Sequence, residues 1–427
     1  MRRAVAIVDG EHYPPVVRQA LEELDDLVVA AVLVGGIEKL RGGEDYGVPL
    51  EPSIEPAALE HAPDVVIDLS DEPVLSPPDR FALASRVLAL GVPYEGPDFR
   101  FDPPRFEPIT LPALAVIGTG KRVGKTAVTG HVARRLAATG SPVVVAMGRG
   151  GPPEPEIVTV PPTVESLLAL SRSGRHAASD HLETAIAAAV PTVGCRRCGG
   201  GLAGAVGVSN VLEGVALAAT LDPEILILDG SGAALPPVEA GRRLLVASAA
   251  QPVDVAAGYL NSYRALISHL VLVTMAEAGA PHAALAAALR DRVRPGTPVI
   301  RAVLRPRPLE PLAGEHVAYF CTAPTTSHAA LAAHLEERHD ARVARVSGAL
   351  SDRARLRDEL RTVDAAVFVV ELKAAAVDVV VEEAVRRGAR VVIAANDVLP
   401  LDGEPDFDAE VMRVAAEATA LAPAIVS

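Results

Sequence analysis

A glycine-rich turn that follows an apolar run carries the clearest chemical signature in the sequence. Residues 118–127 read Gly-Thr-Gly-Lys-Arg-Val-Gly-Lys-Thr-Ala, at the end of the predicted strand 111–118. Glycine allows backbone N–H groups to close around phosphate oxygens, and a helix that begins there adds the positive end of its dipole. Lys125 can reach the terminal phosphates of a nucleotide, and the Thr126 hydroxyl can ligate Mg²⁺. The predicted nucleotide contacts are Gly118, Thr119, Gly120, Val123, Gly124, Lys125 and Thr126.

This turn departs at one position from the standard phosphate-binding loop, or P-loop. The pattern Gly-x₄-Gly-Lys-[Ser/Thr] places a glycine five residues before Gly124, where this chain has Thr119. An ordinary glycine-rich turn would not require Gly-Lys-Thr, so we keep the nucleotide interpretation. Lys121 and Arg122 add two cations, and with Lys125 they are the candidate catalytic residues that neutralise a transferred phosphoryl group. ATP and Mg²⁺ are the cofactors that this turn predicts.

A carboxylate for the metal is predicted at the end of a second apolar run. Residues 225–229 read Ile-Leu-Ile-Leu-Asp, which places Asp229 at the carboxyl end of a buried strand. In a parallel sheet that end lies beside the P-loop, where Asp229 can hold Mg²⁺ directly or through water. The alternative is an ordinary strand-end aspartate in a turn.

The loop after the next strand carries both a cation and two carboxylates. Residues 147–158 read Met-Gly-Arg-Gly-Gly-Pro-Pro-Glu-Pro-Glu-Ile-Val, and in this class of fold the end of that strand faces the γ-phosphate. We therefore predict that Arg149 binds substrate and that Glu156 supports the metal. A stiff, exposed loop is an equally good interpretation of Glu154 and Glu156, because both lie among prolines.

A second basic loop lies at 193–204, where two arginines are followed by three glycines. Guanidinium groups suit phosphate oxygens, so Arg196 and Arg197 are predicted to bind substrate. Two solvated arginines in a flexible loop are the alternative. Cys195 and Cys198 have half of a zinc site's spacing, yet no second pair or histidine lies nearby, and a redox pair is the other minor possibility.

Three series of alternating strands and helices must position these loops. They predict a P-loop NTPase-like, doubly wound parallel α/β sheet core, flanked by smaller α/β domains at both ends. The proline-rich stretch 97–108 is the best candidate for a linker. The predicted domains are an N-terminal one at 1–108, a catalytic one at 109–313 and a C-terminal one at 314–427.

Composition excludes several classes of partner. The net charge is −14, with 54 acidic against 40 basic side chains, which argues against nucleic acid and anionic membranes as partners. The start of the chain does not fit a signal peptide, and no apolar run reaches membrane-spanning length. With only three cysteines, a disulfide framework is not expected. We therefore expect a cytoplasmic protein in which a local basic cluster holds a polyanionic substrate.

Several of these motifs together resemble one enzyme family, that of cyclic 2,3-diphosphoglycerate synthetase. The resemblance is carried by 118–127, 147–158, 194–204, 229–238, 258–275 and 305–311, and it extends to the N-terminal Asp-Gly-Glu-His-Tyr-Pro-Pro at 9–15. It implies that ATP drives closure of 2,3-bisphosphoglycerate into an intramolecular pyrophosphate ring, with release of ADP and phosphate. It also implies a homodimer and a relationship to dethiobiotin synthetase.

The base of the nucleotide is placed only by analogy with related P-loop enzymes. The strand ends Thr274–Met275 and Arg305–Pro306 are predicted to flank adenine. No Asn-Lys-x-Asp motif follows either strand, so guanine specificity is not expected.

Three rival functions are open on the sequence. Another ATP-dependent ligase or kinase of the dethiobiotin synthetase type would act on a small anionic metabolite. An amidating enzyme of the cobyrinate group would need a nucleophile such as Cys321 with His328, but the surrounding residues lack a nucleophile-elbow pattern. A partitioning ATPase would carry lysine four places before Gly124, where this chain has Gly120.

Overall fold

The computed structural model describes residues 1–422, and the N-terminal part is a small α/β unit. Its elements are β1 (Arg3–Val8), α1 (Pro14–Glu23), β2 (Leu27–Leu33), a 3₁₀ turn (Ile37–Lys39), β3 (Leu50–Glu51), α2 (Ile54–His61), β4 (Val65–Asp68), α3 (Pro77–Ala89), β5 (Tyr94–Gly96) and β6 (Phe99–Phe101). The strands form one sheet in the order β3-β2-β1-β4-β5-β6, and all neighbours are parallel except β5 and β6.

The central part contains the predicted P-loop. Its elements are β7 (Ala113–Gly118), α4 (Lys125–Leu136), β8 (Pro142–Gly148), β9 (Glu156–Val158), α5 (Val164–Arg172), α6 (Asp180–Ala188), β10 (Thr192–Cys198), β11 (Val208–Ser209), α7 (Val211–Ala219), β12 (Ile225–Asp229), β13 (Arg242–Ser248), α8 (Val253–Ala256), α9 (Asn261–Leu266), β14 (Leu270–Thr274), α10 (His282–Arg290) and β15 (Val299–Pro308). Strands β10, β8, β12, β7, β13, β14 and β15 lie side by side in that order, all parallel.

The C-terminal part continues this sheet. Its elements are β16 (His316–Phe320), a 3₁₀ turn (Thr325–Ser327), α11 (His328–His339), β17 (Arg342–Ser347), α12 (Arg353–Thr362), β18 (Val367–Glu371), a π-helical turn (Ala376–Val381), α13 (Glu382–Arg387), β19 (Arg390–Pro400) and α14 (Phe407–Leu421). Antiparallel pairing of β15 with β19 joins the two sets of strands into one 13-stranded sheet.

Burial on both faces explains why the central strands read as continuous apolar runs. All residues of β7, β8 and β12 are buried, and helices cover both sides of the sheet, as expected for parallel strands. Because carboxyl ends of parallel strands lie on one edge, the loops after β7, β8 and β12 meet there.

The last helix returns to the central part of the molecule. Phe407 and Val411 of α14 pack in the same apolar cluster as Leu114 of β7. Beside them, His131 of the P-loop helix α4 is 2.7 Å from the carboxylate of Asp408. Helix α14 therefore packs against the central sheet and is hydrogen-bonded to the helix that follows the P-loop.

The predicted fold class is confirmed: the chain is a mixed α/β protein with a large, mostly parallel sheet. The domain boundaries at residues 108 and 313 stay predictions. Among residues 1–422, no helix combines the length and the apolar character needed to cross a bilayer.

Candidate active site

The P-loop lies between the end of β7 and the start of α4, as its sequence predicts. Gly124 has a left-handed backbone (φ +82°), and a Cβ there would lie 2.6 Å from the Leu304 side chain, so glycine is required. Thr119 does not have a positive φ, which explains why glycine is dispensable at that position. Its hydroxyl donates to Gln251 Oε1 (2.6 Å) and its N–H to Val246 O (3.1 Å). Threonine thus ties the loop to strand β13.

Lys125 and Asp229 form a buried ion pair at the base of this loop. Lys125 Nζ lies 2.5 Å from Asp229 Oδ1, and the Thr129 hydroxyl donates to the same oxygen at 2.9 Å. Burial raises the pKa of Asp229, and the charge of Lys125 opposes that rise. The second oxygen, Oδ2, is buried and accepts no hydrogen bond from any described residue. A carboxylate oxygen that has no partner among the described residues and the Thr126 hydroxyl, which lines the cavity above, are the kinds of donor that a hard divalent cation prefers, so these residues fit Mg²⁺.

A cavity of about 620 Å³ opens over the P-loop, within the size range of small-molecule sites. Residues 120–126 form one wall, which includes the exposed side chains of Lys121 and Arg122. The C-terminal part of the sheet contributes a further wall, with Tyr319, Glu371 and Lys373 among its lining residues. The cavity is therefore shared between the central and C-terminal parts of the chain.

Two of the three predicted substrate arginines meet at the edge of this cavity. Arg149 lines it, and its Nη2 atom lies 2.5 Å from where a Cβ on Gly232 would be; Arg197 Nη2 lies 3.8 Å from the same point. Arg197 donates to Ser231 O (2.7 Å), while its buried Nε has no partner among the described residues. Burial and, next, the charge of Arg149 lower the pKa of Arg197. Arg196 is exposed and, because side chains alternate along a strand, projects to the other face of β10.

The predicted metal residue Glu156 is not brought to the cavity. It lies on the short strand β9, where its carboxylate pairs with Arg175 at 3.0 Å. A different carboxylate occupies the space above the end of β8. Asp180, the first residue of α6, lines the cavity, and its Oδ2 lies 3.5 Å from where a Cβ on Gly148 would be. Asp180 therefore brings a carboxylate to the cavity beside the end of β8.

Only one of the four residues predicted around the base lines the cavity. Met275 does so, with a left-handed backbone (φ +55°). Thr274 is buried beneath the P-loop, where its hydroxyl donates to Val123 O (2.8 Å). Arg305 pairs with Glu277 at 2.9 Å, and Pro306 is a buried residue within β15. Thr274 therefore supports the loop rather than facing the cavity.

Neither Cys195 nor Cys198 lines this cavity, whereas Cys321 directly precedes the lining residues Thr322 and Ala323. Cys195 is buried under Gly214 of α7, whereas Cys198 is exposed. Burial raises the pKa of Cys195 to about 12, which makes it a poor nucleophile or ligand. Cys321 is likewise buried, and burial raises its pKa; its thiol donates to Ser347 O. Neither Cys195 nor Cys198 belongs to a metal-binding group among residues 1–422.

The sequence interpretation missed the charged residues of the C-terminal wall. Lys373 follows the end of β18, and its ammonium group lies 3.5 Å from a carboxylate oxygen of Glu183 on α6. Although burial lowers the pKa of Lys373, the charges of Glu183 and Glu371 raise it above the usual value. Burial raises the pKa of Glu183 to about 8. The polar ending Glu-Leu-Lys after the apolar run Val-Phe-Val-Val was the available signal, since it marks the carboxyl end of another strand.

Comparison with known proteins matches three family models in sequence order. They are described as the N-terminal domain (residues 3–102), the P-loop domain (113–299) and the C-terminal domain (308–397) of cyclic 2,3-diphosphoglycerate synthetase. The protein of that name from Rubrobacter xylanophilus is 50% identical over 424 residues, which cover 94% of this chain and 96% of that one. The one from Thermococcus kodakarensis is 42% identical over 417 residues, covering 94% and 95%.

Proposed function

Since the chain belongs to the cyclic 2,3-diphosphoglycerate synthetase family, we propose that its P-loop cavity holds ATP·Mg²⁺ and 2,3-bisphosphoglycerate together. The proposal rests on one observation about the cations around this cavity. Lys125 of the P-loop and Arg149 line it, and Arg197 lies beside Arg149 at its edge. Lys373 lines the same cavity from the C-terminal part of the chain. The chain as a whole has a net charge of −14, so this local excess of cations indicates a ligand rich in negative charge.

The reaction consists of two phosphoryl transfers. An oxygen of one substrate phosphate attacks the γ-phosphorus of ATP, and the bond to the β-phosphate oxygen breaks, so that ADP leaves. An oxygen of the second substrate phosphate then attacks the activated phosphorus, closes the ring and expels inorganic phosphate. Both steps bring anions together, so charge neutralisation and alignment are the main tasks of the protein.

The residues of the P-loop side divide these tasks. Backbone N–H groups of 120–126 bind the phosphates of ATP, and Lys125 neutralises the oxygens of its β- and γ-phosphates. Thr126 and the buried Oδ2 oxygen of Asp229 are the groups that would hold Mg²⁺. The bound ion would add positive charge at the phosphates. Lys121 and Arg122, which are exposed on the cavity, neutralise the transferred group.

The substrate lies between Arg149 and Arg197 on one side and Lys373 on the other. Arginine is suited to a phosphate because its planar group makes two parallel hydrogen bonds. Lys373 comes from the C-terminal part of the sheet, so we propose that this part of the chain completes the substrate site. Arg196 is excluded from this set because its side chain projects to the other face of the strand.

The division of the chain into domains at 1–108, 109–313 and 314–427, the homodimeric state and a cytoplasmic location belong to the same proposal. They are supported by the family resemblance, and the dimer can be tested by sedimentation velocity. If the protein were a monomer at micromolar concentration, the proposed dimer would be refuted, whereas the proposed reaction would be unaffected.

The direct test is ³¹P NMR of a reaction that contains the protein, ATP, Mg²⁺ and 2,3-bisphosphoglycerate. We expect two mutually coupled pyrophosphate resonances from the ring, with one ADP and one phosphate formed for each product. The variant Arg197→Met should lose most of this activity, while the matched variant Arg196→Met on the opposite strand face should retain it. ADP formation without the coupled resonances would refute the cyclisation, and equal loss in both variants would refute the substrate site.

A further inference from the structure

A second cavity, also of about 620 Å³, lies at the amino-terminal ends of the central strands, on the opposite edge of the sheet from the P-loop. All three parts of the chain line it: the end of α3, the segment 103–113, the start of β13 and the end of α14. Its walls are largely apolar, with Leu88, Phe106 and Ile109 among the lining side chains. None of the described residues that line it belongs to the candidate active site.

Two arginines line this second cavity. The guanidinium carbon of Arg243 lies 4.8 Å from the centre of the Phe106 ring, and Arg294 lies nearby. Within residues 1–422, neither guanidinium group forms an ion pair, although Glu239 is an exposed residue of the lining. Burial lowers the pKa of Arg243. A desolvated cation is unfavourable, and a bound anion would offset that cost.

Two neutral polar groups complete the lining beside the arginines. Tyr263 is buried, and burial raises the pKa of its hydroxyl, so this group stays protonated. His269 accepts the backbone N–H of Arg243 at Nδ1 (3.2 Å), and burial lowers the pKa of His269 to about 4. A few convergent polar groups in a mostly apolar cavity of this size are typical of a small-molecule site. Cations and neutral donors at one end suit an anion, and the apolar walls suit a hydrocarbon or aromatic body.

One helix connects this second cavity to the P-loop. Tyr263 lies on α9, and on the same helix the Asn261 side chain donates to the backbone oxygen of Thr119 (3.2 Å). Arg264 of α9 donates to Ala233 O (2.6 Å), in the loop that follows Asp229. A ligand that contacts Tyr263 therefore contacts the helix that is hydrogen-bonded both to the P-loop and to the loop after Asp229.

We propose that the second cavity is an effector site for a small anion with an apolar body, such as an aryl phosphate, and that its occupancy changes the affinity of the P-loop for nucleotide. The site is independent of the cyclisation reaction, so either proposal can fail without the other.

Phenyl phosphate is a suitable probe, with inorganic phosphate as the control that lacks the apolar body. Binding to the full chain should be measured by calorimetry with the P-loop saturated by a non-hydrolysable Mg·ATP analogue. We expect phenyl phosphate to bind at least about tenfold more tightly than phosphate, since burial of a ring adds apolar contact. Arg243→Met should weaken it about tenfold or more. Arg242→Met is the matched control, because Arg242 is the preceding residue on β13 and pairs with Glu417 instead.

The variant Arg294→Met provides a second measurement if Arg243→Met fails to fold, because Arg294 is exposed. Nucleotide affinity should shift in the presence of phenyl phosphate, and this shift should disappear in the Arg243 or Arg294 variant. A shift that persists in both variants would indicate competition at the P-loop and would overturn the proposal. Absence of binding, or an unchanged nucleotide affinity when phenyl phosphate is bound, would also overturn it.

Discussion

The buried pair of Lys125 and Asp229 gives a quantitative prediction about the base of the P-loop. The two side chains are 8% and 1% exposed, so each charge depends on the other. Among residues 1–422, the variant Lys125→Met leaves the buried Asp229 carboxylate with the Thr129 hydroxyl as its one hydrogen-bond partner. Removal of one member of such a pair costs about 3–5 kcal/mol of unfolding free energy. We expect a loss of that size in Lys125→Met.

The reverse variant should be less costly. In Asp229→Asn, Lys125 keeps access to solvent because it lines the cavity, whereas Asp229 lies beneath the lining and has no such access. We therefore expect a loss of about 1.5–3 kcal/mol, the cost of one hydrogen bond to a charged group. The double variant Lys125→Met/Asp229→Asn has no buried charge at this position, so it should recover at least about half of the loss in Lys125→Met.

The pH dependence of the Lys125→Met variant has a definite sign. Burial raises the pKa of Asp229, and removal of Lys125 takes away the charge that opposes this rise. The native variant therefore binds a proton more tightly than its unfolded chain, so its stability falls as the pH rises. The loss relative to the unmodified protein should be larger at pH 9 than at pH 5.

Equilibrium urea denaturation of the four proteins at both pH values measures these effects. The control is Lys121→Met, which removes an exposed cation of the same turn and should change stability by less than about 0.5 kcal/mol. A double variant that is no more stable than Lys125→Met would show that an unpaired buried carboxylate does not cause the loss in Lys125→Met. A larger loss in Asp229→Asn than in Lys125→Met would refute the proposed asymmetry.

Three further predictions concern the cavity and its surroundings. In steady-state kinetics, Arg149→Met should raise KM for 2,3-bisphosphoglycerate about tenfold to a hundredfold and leave the affinity for ATP little changed. This is the effect expected for loss of a hydrogen bond of ~1.5–3 kcal/mol between charged groups. An equal rise in KM in Arg196→Met would contradict the substrate site. Burial raises the pKa of Glu183 to about 8, so the native state binds a proton more tightly than the unfolded state. In denaturation experiments, the stability of the protein relative to Glu183→Gln should therefore fall as the pH rises from about 5 to about 9. A stability difference that stays constant over this range would argue against that pKa. Iodoacetamide should alkylate Cys198 in the native protein and leave Cys195 unmodified, as measured by mass spectrometry, because Cys198 is exposed and Cys195 is buried. Rapid labelling of Cys195 would show that this residue is not buried beneath α7.

The parts of the site that were predictable depend on local sequence patterns. The P-loop is continuous in the chain, so the residue types at 118–126 report directly on its backbone. Asp229 was predictable because an apolar run places it at a strand end, and strand ends of a parallel sheet share one edge. The same rule placed Arg149 at the cavity.

The parts that were not predictable depend on side-chain direction or on distant pairing. Thr274 was expected at the base, but its side chain projects beneath the P-loop, and an error of one residue reverses the face of a strand. Arg196 and Arg197 could not be told apart for the same reason. The contribution of Lys373 follows from antiparallel pairing of β15 with β19, about 90 residues apart in the chain, which no local motif encodes.

The placement of the substrate beside the nucleotide is tested most directly by a structure of the protein with a non-hydrolysable Mg·ATP analogue and 2,3-bisphosphoglycerate. We predict that the two phosphates of the substrate lie between the terminal phosphate of the nucleotide and the side chains of Arg149, Arg197 and Lys373. We also expect hydrogen bonds of about 2.7–2.9 Å from these cations to phosphate oxygens. A substrate bound elsewhere, with Arg149 and Arg197 directed into solvent, would contradict this placement.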